Sequence, residues 1–390
     1  METPGINLDT AASTSVSLPP PPPPPTGRAV RREWWALPLL TLAWTLMILV
    51  MAASLIQVRL WEIAPGAAQA VAPRMTFGDD VRRYAEIHTT DGEVMFVTAL
   101  GSRLTLLDAV AASIDDDVDV LTFEERFGTS TPTEQRAVNA RAMVSSKQIA
   151  EFVALTRLGI ESEILFGDVV VEDVVCEEVP DPRSACRLLE PGDTITTFDG
   201  KPTPTLPSLI DAVSGRRPGE SVSVGVRRGE APDLDQELMI TLIASPDGSG
   251  RTIIGIMPRD TRTVKTPFEV GIDTDSIGGP SAGLAFTLAL IDELSPGSLT
   301  GGTRVAATGT MSGDESVGTV GAIAQKAIAA RDSGAKIFLL PAGQSPEDLA
   351  TARRIGGTRM RVETVAFLQD ALDILRGVGG DALPDATNGE

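Results

Sequence analysis

The chain has 390 residues, 42% of them hydrophobic, and a formal net charge of −20. That length and apolar content allow two or three domains with a sizeable core and exclude wholesale disorder. The charge argues against nucleic acid as a partner, and a single histidine, His88, with two cysteines, Cys176 and Cys186, is too little for a structural zinc site or a two-histidine zinc peptidase helix. The one Gly-Lys pair, Gly200-Lys201, is followed by Pro202, so no nucleotide-binding P-loop is present either. No metal or other cofactor is expected.

Residues 1–33 are polar and proline-rich, with an unbroken run from Pro19 to Pro25 that favours extended polyproline II and reads as a cytoplasmic tail. Trp34 to Val58 carries no charge, and at about 1.5 Å per residue it spans a ~30 Å hydrocarbon layer. Trp34 and Trp35 stand at one end and Trp61 at the other, as interfacial anchors do. Arg28, Arg31 and Arg32 precede the span and Arg59 alone follows closely. That bias predicts a single-pass cell-membrane anchor with the N-terminus inside and everything after residue 60 outside. A cleavable signal ending near Ala68-Gln69-Ala70 is the rival, but the apolar stretch is long for a signal core.

Residues 59–155 form a region of unassigned role. Glu93 to Thr98 reads as a strand and Arg141 to Leu158 as a helix with apolar residues at helical intervals. His88 stands beside Thr89, Thr90 and Asp91 in a stretch that predicts a turn, and reads as a surface residue.

A β-rich module follows over 156–245. Phe166 to Val175 is a valine-rich strand. Thr197 to Gly200 closes a second strand on an Asp-Gly turn. Leu206 to Ser214 is a short helix, and Val222, Val224 and Val226 alternate along a strand followed by another at Leu238 to Ile243. The stretches "L-x-P-G-D-x-I" at Leu189 to Ile195, "D-G" at Asp199-Gly200 and "R-x-P-G-E-x-V" at Arg216 to Val222 resemble a PDZ domain of the bacterial peptidase-associated kind. The resemblance implies capture of protein or peptide substrates by free C-termini added as a strand. Leu158-Gly159 is the expected loop for the carboxylate. Cys176 and Cys186 either pair, as an extracytoplasmic location favours, or stay as buried thiols.

Gly278-Gly279-Pro280-Ser281 then turns sharply into an apolar, buried helix that stops at Ser295-Pro296-Gly297. Ser281 lies at a helix N-terminus, where free N–H groups can hold an oxyanion, although serine is also a common N-cap. A second helix over Ile323 to Ala330 carries Lys326 among small apolar residues. Burial lowers a lysine's pKa toward the range a general base needs, and a serine nucleophile in a chain almost without histidine needs such a base.

Residues 250–376 resemble the proteolytic domain of Lon proteases. The matching pieces are "G-P-S-A-G" at Gly279 to Gly283, "T-G-T" at Thr308 to Thr310, "V-G-T-V-G-A-I-A-Q-K" at Val317 to Lys326 and "G-A-K-I-F-L-L-P" at Gly334 to Pro341. The resemblance implies a Ser-Lys dyad of Ser281 and Lys326, with Thr308 bonding near the lysine. Backbone groups around Gly279, Pro280 and Ala282 are expected at the oxyanion. Phe268 and Val270, in an extended segment reaching Asp273, are expected to pair with substrate. Gly278 and Thr310 depart from the ATP-dependent enzymes, many of which carry Asp and Glu there. Anchor, PDZ-like module and Lon-type domain in this order resemble membrane-anchored bacterial Lon-like peptidases without an ATPase domain. The expected architecture is α+β: one transmembrane helix, a PDZ-like module, a Lon-type α/β domain and a flexible tail over 377–390. The expected function is an ATP-independent serine endopeptidase of the envelope. A PDZ-bearing scaffold with an inactive peptidase fold, or self-processing alone, are the other readings. Lon-type domains tend to assemble in rings, so a homo-oligomer is a further expectation.

Overall fold

The computed structural model describes residues 36–127, 131–176, 181–228, 235–245 and 250–383. The proline-rich tail, Trp34 and Trp35 lie outside these. The chain forms two compact units, residues 1–56 and 57–390. In the first, helix α1 (Ala36–Leu55) has no charged and no buried residue. It is long and apolar enough to cross a membrane.

The span is shorter than the expected 34–58, because from Gln57 the chain is already in a strand, β1 (Gln57–Ala70). Trp61 is therefore not an interfacial anchor. It is 8% exposed and sits edge-on to Phe123 and Phe127 at 6.0 and 4.8 Å between ring centroids. Ala68 to Ala70, the rival signal cleavage site, is paired with Val97 to Met95 in the sheet.

After β1 come β2 (Glu93–Thr105), α2 (Leu106–Ala112), β3 (Asp119–Thr122), α3 (Phe123–Phe127) and α4 (Pro132–Arg157). Helix α4 begins nine residues before the expected start at Arg141. Thr131 and Glu134 cap each other's backbone there and Pro132 occupies the first turn, three start signals that together outweigh weak apolar periodicity.

The PDZ-like module supplies β4 (Val169–Val174), β5 (Thr194–Phe198), α5 (Leu206–Ser214), β6 (Ser221–Arg227), β7 (Asp235–Thr241) and β8 (Ile256–Asp260). Its sheet runs β7-β6-β5-β4-β8, closed over its own core of Val169, Ile195, Phe198, Val224 and Ile240. The aspartate of the Pro-Gly-Asp turn, Asp193, is 2% exposed and accepts two 2.9 Å hydrogen bonds from Arg228. Burial pushes its carboxyl up, but the Arg228 hydrogen bonds and charge and the Glu190 N–H bring it below the usual range. Cys176 and Cys186 are disulfide-bonded, with Cα atoms 5.3 Å apart.

The remaining elements are α6 (Gly283–Leu294), β9 (Arg304–Ala307), α7 (Ile323–Asp332), β10 (Ile337–Pro341), α8 (Pro346–Gly356), β11 (Arg361–Val365) and α9 (Leu368–Gly377). They complete a six-stranded sheet ordered β11-β10-β9-β2-β1-β3. β9 pairs in parallel with both β10 and β2, and β1 runs antiparallel between β2 and β3. Side chains alternate across it. Val94, Phe96, Ile337 and Leu339 join the core under α4, α6 and α9, while Met95, Val97, Phe338 and Leu340 join the core under α7 and α8. A sheet covered on both faces explains the unbroken apolar runs of β2 and β10.

Residues 57–157 are thus no separate region. They supply half the strands of this sheet and the helix that packs on α6. A fragment limited to 250–376 lacks β2, one of the two parallel partners of β9, and α4, which packs on α6. It should show no cooperative unfolding transition by circular dichroism, whereas residues 57–390 should. A cooperative melt of the fragment alone would refute this account of the core.

Candidate active site

The turn before α6 is held from three sides. Gly279 has φ +101°, a left-handed conformation that glycine adopts without strain. Its N–H donates to the Asn139 carbonyl of α4 at 2.7 Å. The Pro280 carbonyl accepts from Ser146 Oγ at 3.0 Å. The Ser281 carbonyl accepts from Gly309 N–H at 2.9 Å and from Thr308 Oγ1 at 3.1 Å. A Cβ on Gly283 would stand 2.8 Å from the Met311 nitrogen, so only glycine lets this helix approach the β9 exit so closely. Ser281 itself stays partly open to solvent.

Lys326 arrives on α7 from the opposite face of the sheet. That helix is opened by Ala322 in the left-handed region, φ +57°, a conformation costing an L-residue roughly 1–2 kcal/mol. Lys326 is 5% exposed. Burial lowers its pKa to about 8, and among the described residues no carboxylate pairs with it. Ser281 and Lys326 line one cleft of about 970 Å³, beyond the carboxyl end of β9, whose wall is the outer half of the β1–β2 hairpin.

The other expected residues divide. Ala282 and Pro280 line the cleft. Gly279 has spent its N–H on Asn139, Pro280 has none, and the Ala282 N–H belongs to the 3-10 turn over Pro280–Ala282, so of the expected oxyanion turn the Ser281 amide remains. Thr308 is fully buried and braces the serine's carbonyl, with no bond to Lys326. Phe268 is 5% exposed, packed with Val81, Leu155 and Leu294, and Val270 pairs with Phe77. Neither lines the cleft, because their segment is consumed in covering α4. Leu158 and Gly159 close α4, with Gly159 at φ +74° and Ile160 N–H returning to Leu155. They are absent from the module's apolar groove. His88 stands apart from the cleft, its N–H bonded to the Glu293 carbonyl.

Two cleft residues carried no sequence signal, Asn139 and Arg126. Asn139 explains one departure. A Cβ on Gly278 would lie 3.1 Å from the Asn139 carbonyl carbon and Cβ, so the space an aspartate would need is already filled by α4.

The cleft thus brings together a partly exposed serine and a buried lysine of lowered pKa. Residues 273–375 match the Lon protease (S16) C-terminal proteolytic domain and residues 156–238 match a PDZ domain. The chain therefore carries a PDZ domain and a Lon-type proteolytic domain behind one apolar helix that fits a single membrane anchor, which supports a serine peptidase role. Among solved structures, the PDZ domain of an SdrC-like protein from Listeria monocytogenes is 27% identical, over 25% of this chain and 92% of that one, with a TM-score of 0.21. Its counterpart from Listeria innocua is 29% identical over 24% and 93%, at 0.20. No curated protein matches significantly.

The buried lysine destabilises the fold. Its folded pKa of about 8 lies below the ordinary 10.5, so between those values the unfolded chain holds a proton the folded one has released. Stability should rise with pH across that window, and the burial penalty is fully present below it. Lys326→Met should stabilise residues 57–390 by on the order of 2–3 kcal/mol at pH 7, read as a higher urea midpoint. An unchanged midpoint at pH 7 would show that the ammonium is not desolvated.

Proposed function

We propose that the protein is an ATP-independent, membrane-anchored serine endopeptidase acting outside the cell membrane, with Ser281 as nucleophile and Lys326 as general base. The observation that carries the reading is the convergence of these two side chains on one cleft, the lysine buried and without a carboxylate partner among the described residues. Neutral Lys326 takes the proton of Ser281 Oγ as that oxygen attacks the scissile carbonyl. The amide of Ser281 holds the resulting oxyanion. The lysine ammonium then protonates the leaving amine, and water repeats the sequence on the acyl-enzyme. The basic residues before α1 support an inside N-terminus, and the disulfide suits an oxidising compartment.

Ser281→Ala and Lys326→Ala should each remove nearly all turnover, with the double variant little worse, since the two act as a unit. Lys326→Arg should fail too, because a guanidinium stays protonated. Cleavage of an unfolded substrate, followed from pH 6 to 10 without ATP, should climb through pH about 8 as the base becomes neutral. An active Lys326→Ala enzyme would end this reading.

Substrate selection falls to the PDZ domain. An apolar groove of about 330 Å³ lies between α5 and β8, lined by Leu209, Ile210, Val213, Ile254 and Ile256. Among the described residues β8 ends its sheet with β4 as its one neighbour, which leaves its outer edge to take an antiparallel peptide strand. That peptide's carboxylate would reach the Ile254-Gly255 turn at the start of β8. Ile210 is 57% exposed in this groove. Ile210→Asp should abolish binding of peptides with free C-termini, measured by fluorescence anisotropy, and amidation of the peptide should weaken binding to the parent protein. Equal affinity for acid and amide peptides would refute it.

A further inference from the structure

The charge of the cleft runs against the charge of the chain. The net charge is −20, yet among the described residues no aspartate or glutamate lines the cleft, and its charged residues are Lys326 and Arg126. Lys326 is occupied by the serine chemistry. Arg126 has no such role.

The guanidinium of Arg126 is built into place. Its Nε is buried without a hydrogen-bond partner, and among the described residues no carboxylate pairs with it. Its Cζ lies 5.3 Å from the centre of the Phe127 ring. Phe127 is fixed in turn, 4.8 Å from Phe123 and 4.8 Å edge-on to the buried Trp61. An aromatic platform that holds an arginine over its face restricts the side chain before any ligand arrives. A buried donor left unbonded is unfavourable, and a charged one more so. The Nε itself is closed to solvent, so a ligand reaches the terminal N–H groups of this half-buried side chain, and a carboxylate can accept two of them at once.

We propose that Arg126 is a specificity residue: it binds a carboxylate of the substrate chain within a few residues of the scissile bond, so that the cleft favours acidic segments. This rests on the peptidase reading of the same cleft. The chain's negative charge does not prevent it, because charges more than about 8 Å apart in water are largely screened at physiological salt, while the Arg126 contact is direct. The carboxylate comes either from a Glu or Asp side chain or from the substrate's own C-terminus.

The test uses the full chain in nanodiscs and capped fluorogenic peptides that carry Glu or Gln at each position flanking the cleavage site. A second set has Gln throughout and a free or amidated C-terminus. The parent enzyme should cleave a Glu peptide or a free-acid peptide roughly tenfold to a hundredfold better in kcat/KM, the scale of a charge-assisted hydrogen bond. Arg126→Gln should bring the pairs to within about twofold with the pH profile unchanged. Arg126→Lys should restore part of the preference, and Arg126→Glu should turn it toward Lys peptides. The same peptides bound to Ser281→Ala read the preference without turnover. A Glu preference in that binding beside an inactive parent would sink the peptidase reading and leave the carboxylate site standing. Equal handling of Glu and Gln peptides in both assays, or a preference that survives Arg126→Gln, overturns the proposal.

Discussion

The parallel pairing of β9 with β2 is the contact on which the rest of the molecule depends. It joins Arg304 to Glu93 and Ala307 to Phe96, and it buries the sheet on both faces. Once both faces are covered, α6 and α7 must lie on opposite sides. The serine just before one and the lysine in the first turns of the other then line one cleft past the end of β9. The cleft sits at the carboxyl end of the parallel strands, where open α/β sheets commonly bind their ligands.

Burial then acts twice, with opposite sign for stability and for chemistry. Desolvation of Lys326 weakens the fold, and the same desolvation draws its pKa down to about 8, into the range where it can accept a proton. Among the described residues no carboxylate relieves the penalty, and one placed there would raise the pKa again. Several acidic residues of the chain serve structure instead. They cap helices, as Asp108 and Glu134 do, or hold a turn, as Asp193 does. The PDZ domain keeps its own core, so its groove forms without help from the six-stranded sheet.

Much of this was legible along the chain. The apolar helix, the long α4 in outline, the strand and helix order of the PDZ domain and both motif segments depend on local periodicity, caps and glycine turns. Such signals act within a few residues and survive in any tertiary context that does not oppose them. Ser281 and Lys326 belong to this class because each is embedded in a turn and a helix start that only certain residues can form.

What the chain could not disclose by itself is what pairs across distance. The Glu93–Arg304 contact spans 211 positions, and strand pairing of that kind leaves no local signature. So residues 59–155 read as a region of unassigned role, and their strands proved to be half of the six-stranded sheet. Trp61, Phe268 and Leu158 have the composition of anchors and binding residues, and only packing revealed them as core and cap. Asn139 and Arg126 look like ordinary helix-surface residues in the sequence. The fold brought one against the serine's turn and left the other facing the cleft unpaired, since position in a cleft follows from which faces are buried and not from residue type.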